Sequence, residues 1–127
     1  MDNVLYSAVI LDEFSRKMLI KHFKSIIPEQ FEIFVHHMTI NLGPIDQKYE
    51  KYIGMSITLK VVDIGISDYV IAVGVTGFPS NNIKPHITLA VNKTIGGKPR
   101  MSNDIEEWRK IKHPFYITGK VEEVLAQ

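Results

Sequence analysis

The sequence predicts an α+β fold with a mainly antiparallel sheet, two principal helices and a central cleft, and three observations lead there. Apolar runs of strand length, rich in Val and Ile, recur along the chain. Two amphipathic stretches interrupt them in the order strand, helix, strand, hairpin, strand, helix, strand. That order lacks the regular strand and helix alternation of a doubly wound parallel fold. One short pattern occurs twice: Val35-His36-His37-Met38-Thr39-Ile40-Asn41-Leu42-Gly43-Pro44 and Pro85-His86-Ile87-Thr88-Leu89-Ala90-Val91-Asn92 both carry His-x-Thr inside an apolar run. The repeat suggests two loosely equivalent halves, each giving one strand to the cleft.

Val4 to Leu11 is nearly continuously apolar, the pattern of a strand covered on both faces and so central in its sheet. Asp12 is placed to cap a helix in which Phe14, Met18, Leu19, Phe23, Ile26 and Ile27 recur near a helical period, with Lys17, Lys21 and Lys24 between them. Pro28 must follow its end. Phe31 to Leu42 returns to strand character and is stopped by Gly43-Pro44. Ile45 to Gly54 is polar and fits a short helix or a loop. Met55 to Asp63 and Tyr69 to Val75 read as the arms of an antiparallel hairpin joined by Ile64 to Asp68. The turn-rich loop Thr76 to Lys84 delivers the chain to the second His-x-Thr strand. A glycine-containing loop, Asn92 to Arg100, leads to Ser102 or Asn103 as the cap of a second helix. Asp104, Glu106 and Glu107 fall in its first turn, and Ile105, Trp108 and Ile111 form its apolar face. Pro114 closes that helix, and Phe115 to Val124 makes a last strand.

At 127 residues, 45% hydrophobic and 23% charged, the chain suits a single domain over 1–127 with its own core. A net charge of +1 and a pI of about 8.0 argue against a general nucleic-acid coat or a membrane-surface polycation, and no DNA duplex is expected as a partner. Any affinity for phosphate must therefore be local. There is no cysteine, which removes disulfide frameworks and thiolate metal sites. The apolar runs are strand-length, and Met1-Asp2-Asn3 lacks the basic segment and apolar core of a signal peptide. The expectation is a soluble, cytoplasmic protein without membrane association.

In an extended strand successive side chains alternate between faces, so His37, Thr39 and Asn41 fall on one side and Met38, Ile40 and Leu42 on the other. His86 and Thr88 separate from Ile87, Leu89 and Val91 in the same way. By this parity His36 points to the core side and reads as structural. Imidazole has an ordinary pKa near about 6.5, so one histidine can accept a proton while another donates one at neutral pH. Two of them on opposite sides of a phosphodiester suit in-line attack by water and departure of an alkoxide, with no metal required. Threonine hydroxyls one strand-step away can donate to the non-bridging oxygens, where charge accumulates in the transition state. From Tyr69 through Asn103 there is no Asp or Glu, while Lys84, Lys93, Lys98 and Arg100 all fall there, giving the second histidine positive surroundings. Gly96-Gly97-Lys98 offers backbone N–H groups and a cation to the cleft rim, although such a triplet is more often a plain turn. It is not a P-loop, whose longer glycine-lysine spacing is absent.

Two His-x-Thr motifs, each followed by an apolar residue on a separate strand of a small cysteine-free chain, resemble those of the two-histidine (2H) phosphoesterase superfamily. Its members include RNA 2',3'-cyclic phosphodiesterases, the phosphodiesterase domain of tRNA ligases, 2',5'-oligoadenylate hydrolases and phage enzymes that cleave cyclic-nucleotide signals. The resemblance covers the opening strand and helix, His37-Met38-Thr39, the hairpin, His86-Ile87-Thr88 and the closing strand. The interval between the motifs is shorter than in many larger members, which leaves the substrate open. The resemblance implies cofactor-free, metal-independent hydrolysis of a cyclic phosphate or phosphodiester of a nucleotide or RNA end. It assigns catalysis to His37 and His86 and phosphate contacts to Thr39 and Thr88. Tyr6 resembles an aromatic that lies near the substrate in some members, and equally suits a core tyrosine with its hydroxyl at the sheet edge. Lys98 is the candidate rim cation.

The remaining candidates read as structural. His22 lies on the lysine-rich helix and is expected in solvent, and His113 precedes Pro114 at the second helix end, where a cation favours the dipole. Trp108 reads as core more than as a base-stacking platform, and Phe34 and Phe78 flank the motifs without spacing that separates stacking from packing. Two other functions compete. A non-catalytic nucleotide-binding module would keep the cleft, and a zinc site on His37 and His86 would lack further ligands.

Overall fold

A computed structural model describes residues 3–126. Its strands are β1 (Val4–Leu11), β2 (Glu32–Ile33), β3 (His37–Leu42), β4 (Ser56–Ile66), β5 (Val70–Thr76), β6 (His86–Val91) and β7 (Trp108–Leu125). They form one sheet in the order β2-β6-β3-β1-β7-β4-β5, and an additional pairing of β5 with β6 closes it into a barrel. Every pairing is antiparallel.

The apolar run at the start of the chain takes the central place its composition requires. β1 lies between β3 and β7, with Val9 opposite both Met38 and Val121. Ala8 and Val9 are fully buried. The helix α1 (Glu13–Phe23) starts on Asp12, whose carboxylate accepts from the Ser15 N–H at 2.8 Å, and ends through a 3-10 turn at Lys24–Ile26 before Pro28. Its Leu19 and Phe23 join Val9, Met38, Leu59, Val73, Ile87 and Ile117 in one core. Ile45 to Gly54 resolves as a 3-10 turn, Gln47–Tyr52, capped by the Asp46 carboxylate, which accepts from the Lys48 N–H at 3.1 Å.

The hairpin of β4 and β5 is longer than its sequence pattern suggests. The ladder runs to Ile66 opposite Ile71, and Ser67 makes the turn by accepting from the N–H groups of Tyr69 and Val70, both at 3.2 Å.

The second helix expected between its Ser102 or Asn103 cap and Pro114 is not there. Pro99–Asp104 is a 3-10 turn, and from Trp108 the chain is strand for 18 residues. Spacing of Ile105, Trp108 and Ile111 by three mimics a helix face, but tertiary pairing decides the outcome. Trp108, Arg109 and Lys110 pair with Gly65, Ile64 and Asp63 of β4, and Gly65 leaves the space that the Trp108 ring occupies. Pro114 does not end a helix either. It falls where the register jumps between Lys110 opposite Asp63 and Phe115 opposite Val61, an irregular stretch in which its missing N–H breaks no ladder bond. His113 is accordingly an exposed residue of that irregular strand segment and not a helix-terminal cation.

Phe31 to Leu42 is also not one strand. β2 and β3 lie along the same edge of β6, Ile33 opposite Ala90 and Met38 opposite Ile87, with an irregular link between them. Within the link Val35 has φ 41°, a left-handed conformation that a β-branched residue rarely adopts. Its surroundings hold it there: the side chain is fully buried, its N–H donates to the Thr88 carbonyl at 3.1 Å, and its carbonyl accepts from Arg16 Nε at 2.7 Å. No helix among the described residues is long and apolar enough to cross a membrane.

Candidate active site

The pair Met38 opposite Ile87 is the centre from which the site is built. Both side chains are fully buried in the core. Strand alternation turns their neighbours His37, Thr39, His86 and Thr88 the other way, and all four line one cavity of about 530 Å³. Tyr6, Phe34 and Leu42 supply apolar wall, while Asn82, Arg100 and Asn103 bring polar groups from two loops.

His86 is held by its own strand entry. Its Nδ1 lies 2.7 Å from the Lys84 carbonyl, and since a carbonyl only accepts, Nδ1 carries the proton and Nε2 is bare in the neutral ring. The carbonyl bond favours the imidazolium, but burial dominates and lowers the His86 pKa. Lys84 itself is anchored: its ammonium is ion-paired with Asp63 and sits 5.1 Å over the Trp108 ring. Asp63, Gly74 and His86 stand in one row across β4, β5 and β6. Gly74 is required in that row, because a Cβ there would run into the Asp63 carboxylate. Asp63 Oδ1 is buried without a hydrogen-bond partner.

His37 stacks on Tyr6 with ring centroids 4.8 Å apart and planes 27° from parallel. Burial, then the nearby His36 and His86, lowers its pKa to about 4. Burial also raises the Tyr6 hydroxyl above its usual value. Thr39 is fixed through its backbone, whose carbonyl accepts from Ser80 Oγ at 2.8 Å. Thr88 Oγ1 lies 2.7 Å from the buried Ser102 hydroxyl and donates to the Pro99 carbonyl at 3.3 Å.

His36 overturns the parity expectation. It is exposed, lines the same cavity as His37, and its Nδ1 lies 2.9 Å from His37 Nδ1. The physical reason is that β3 begins only at His37, so His36 belongs to the irregular link before it, where strand alternation does not hold. The tandem was visible in the sequence; the break that puts both rings on one side was not.

The charge around the site is also more local than the acid-free stretch implies. Lys84 pairs with Asp63, and Lys93 pairs with Glu32 at 2.8 Å, both acids brought in from other strands. Lys98 is exposed at the start of the Pro99–Asp104 turn and is not among the cavity's lining residues, whereas Arg100 is. Of the flanking aromatics, Phe34 lines the cavity, and Phe78 packs with Tyr49 and Tyr52 elsewhere. Trp108 belongs to a second packed cluster with Val70, Ala72, Val91 and Ile105, and its indole N–H donates to the Ile105 carbonyl at 3.2 Å. His22 is exposed but rests on Phe115, with centroids 4.5 Å apart. Among the described residues no group of three or more His, Cys, Asp or Glu is arranged to hold a metal ion. No family model and no curated protein matches the chain, so its function is argued from this geometry.

Proposed function

We propose that the protein is a metal-independent phosphoesterase of the two-histidine kind, hydrolysing a cyclic phosphate or phosphodiester of a nucleotide or RNA end. The convergence of His37, Thr39, His86 and Thr88 on one cavity carries this reading. Antiparallel pairing about Met38 and Ile87 relates the two His-x-Thr segments by a local two-fold, in keeping with two loosely equivalent halves.

In the proposed reaction His86 is the general base, because its bare Nε2 can take the proton of the attacking water as that oxygen bonds to phosphorus. His37 is the general acid, giving a proton to the ribose oxygen as its bond to phosphorus breaks. Thr39 and Thr88 hydroxyls donate to the non-bridging oxygens, Thr88 by exchanging its bond to the Pro99 carbonyl for one to substrate. Arg100 offsets phosphate charge, and Tyr6, Phe34 and Leu42 cover sugar or base. An anionic substrate raises both histidine pKa values by favouring imidazolium, opposing the burial that lowers them in the free protein.

One observation favours a second reading, a nucleotide-binding module that does no chemistry: the Thr88 hydroxyl is already satisfied within the protein. A substrate panel separates the two. A 2',3'-cyclic-phosphate RNA end, ADP-ribose 1'',2''-cyclic phosphate, 2',5'-oligoadenylate and 3',3'-cyclic dinucleotides are incubated with the protein in EDTA and resolved by mass. At least one gains the mass of water if the enzyme reading holds. Recovery of every ligand intact, with saturable binding of one, gives the module instead.

A further inference from the structure

The proposed acid has a supply problem. Burial favours the neutral form of His37, yet the reaction needs its proton, and the cavity's lining residues include no Asp or Glu to hold one nearby. The exposed ring beside it can. His36 and His37 meet Nδ1 to Nδ1 at 2.9 Å, a distance that requires one bridging proton. We propose that His36 is a positioning residue that carries the positive charge for His37 at the solvent edge of the cavity and passes the bridging proton to it during turnover.

The proton count closes. Before the step His36 is imidazolium, with protons on Nε2 and Nδ1, and its Nδ1–H donates to His37 Nδ1. His37 is neutral with its proton on Nε2, the nitrogen left for a ligand. The departing ribose oxygen takes that Nε2 proton while the bridging proton moves onto His37 Nδ1. Both rings end neutral, and the cycle resets when solvent returns a proton to His37 Nε2 in the emptied cavity, the bridging proton moves back to His36 Nδ1, and His86 releases the proton it took from the attacking water. The half-buried His37 ring therefore never has to store the charge, which its partial removal from water opposes. The backbone holds the contact: the Val35 N–H donates to the Thr88 carbonyl at 3.1 Å and the Leu11 N–H to the His36 carbonyl at 3.0 Å, fixing the irregular link from which both histidines line the cavity. The charged and titratable groups around the pair are Tyr6 of β1, Arg16 of α1 on the Val35 carbonyl, His86 of β6 and Arg100. Of these His86 is the other imidazole, and its Nδ1 proton is committed to Lys84.

The relay rests on the phosphoesterase reading, but the histidine coupling does not, so the test has two arms on the intact chain. Imidazole nitrogen NMR of the free wild-type protein should show one proton shared between the Nδ1 atoms of His36 and His37, with His37 Nε2 protonated throughout. In His36→Ala, His37 should titrate alone at a shifted midpoint. An unchanged His37 midpoint and tautomer overturns the coupling whether or not any substrate is cleaved. In the second arm, on a 2',3'-cyclic-phosphate oligoribonucleotide, His36→Ala and His36→Gln should lower kcat about tenfold or more with KM little changed, and added imidazole should restore the Ala variant. Wild-type kcat in both variants, or a loss that imidazole does not restore while the fold is intact, overturns the relay. If the wild type cleaves no substrate the reaction reading fails, the relay fails with it, and the NMR arm still decides the coupling.

Discussion

Burial and two neighbouring histidines hold His37 at a pKa of about 4, below the ordinary 6.5, and this has consequences for stability and for rate. Between those values the unfolded chain binds a proton that the folded chain does not. The His37 contribution is therefore complete above about pH 6.5 and is lost as pH falls toward about 4. The loss is on the order of 3 kcal/mol. His37→Gln should flatten the acid side of the stability curve, read from urea midpoints at about pH 7 and about pH 4.5. An acid limb as steep as in the wild type would contradict it. For rate, kcat/KM reports the free enzyme, so the acid limb of its profile should lie below the ordinary imidazole value, because the base His86 must be neutral and burial lowers its pKa as it lowers that of His37. The kcat profile should lie at higher pH, since bound anion raises both. Coincident profiles would show that substrate charge does not act on them.

At the scale of elements, the two irregularities matter more than the regular strands. Val35 at φ 41° costs roughly 1–3 kcal/mol of backbone strain, which its burial and two backbone bonds sustain. At an ordinary buried position Gly is worse than Ala by about 0.5–1 kcal/mol. At Val35 the order should invert, with Val35→Gly at least as stable as Val35→Ala in chemical denaturation; the ordinary order would mean that the left-handed turn relaxes away. Gly74 makes the second test. Its row with Asp63 and His86 has no room for a Cβ, so Gly74→Ala should cost roughly 1–3 kcal/mol and lower turnover by displacing Asp63 and the Lys84 segment that orients His86.

These irregularities also mark where the sequence stopped being legible. The apolar first strand, the Asp12 cap and the hairpin were readable because local propensity and tertiary packing agree there. The stretch after Asp104 carries a helical period and acidic residues suited to a helix start, yet pairing with β4 and the space above Gly65 make it strand. Strand parity placed His37, Thr39, His86 and Thr88, all of which line the cavity, and failed at His36, which precedes β3 in an irregular link, and at Leu42, expected on the core side, which is exposed and lines the cavity beyond the register shift between Ser7 and Ala8. Arg100, Asn82 and Asn103 come from loops, where sequence gives turn chemistry but no direction.

Across the whole molecule, barrel closure decides which charges reach the site. β5 and β6 pair directly, carrying the Lys84 segment beside β4, where Asp63 neutralises it, and β2 brings Glu32 to Lys93. Arg100 is left as the one Lys or Arg side chain of the cavity lining among the described residues. A site with one such cation should show a shallow salt dependence, with log kcat/KM against log salt falling with a slope of about −1 or less for a single-stranded end. Arg100→Ala should flatten that slope and raise KM; a steep slope surviving in the variant would place phosphate contacts outside this cavity.

The central claim is that His37 and His86 perform phosphodiester hydrolysis without a metal. Its most direct test is the rate at which wild type, His37→Ala and His86→Ala open the 2',3'-cyclic phosphate of an oligoribonucleotide in EDTA, with each fold checked by its unfolding transition. The account predicts wild-type turnover unaffected by EDTA and a loss of roughly 10²–10⁴-fold in each folded variant. EDTA-sensitive turnover, or wild-type rates in both variants, would contradict it.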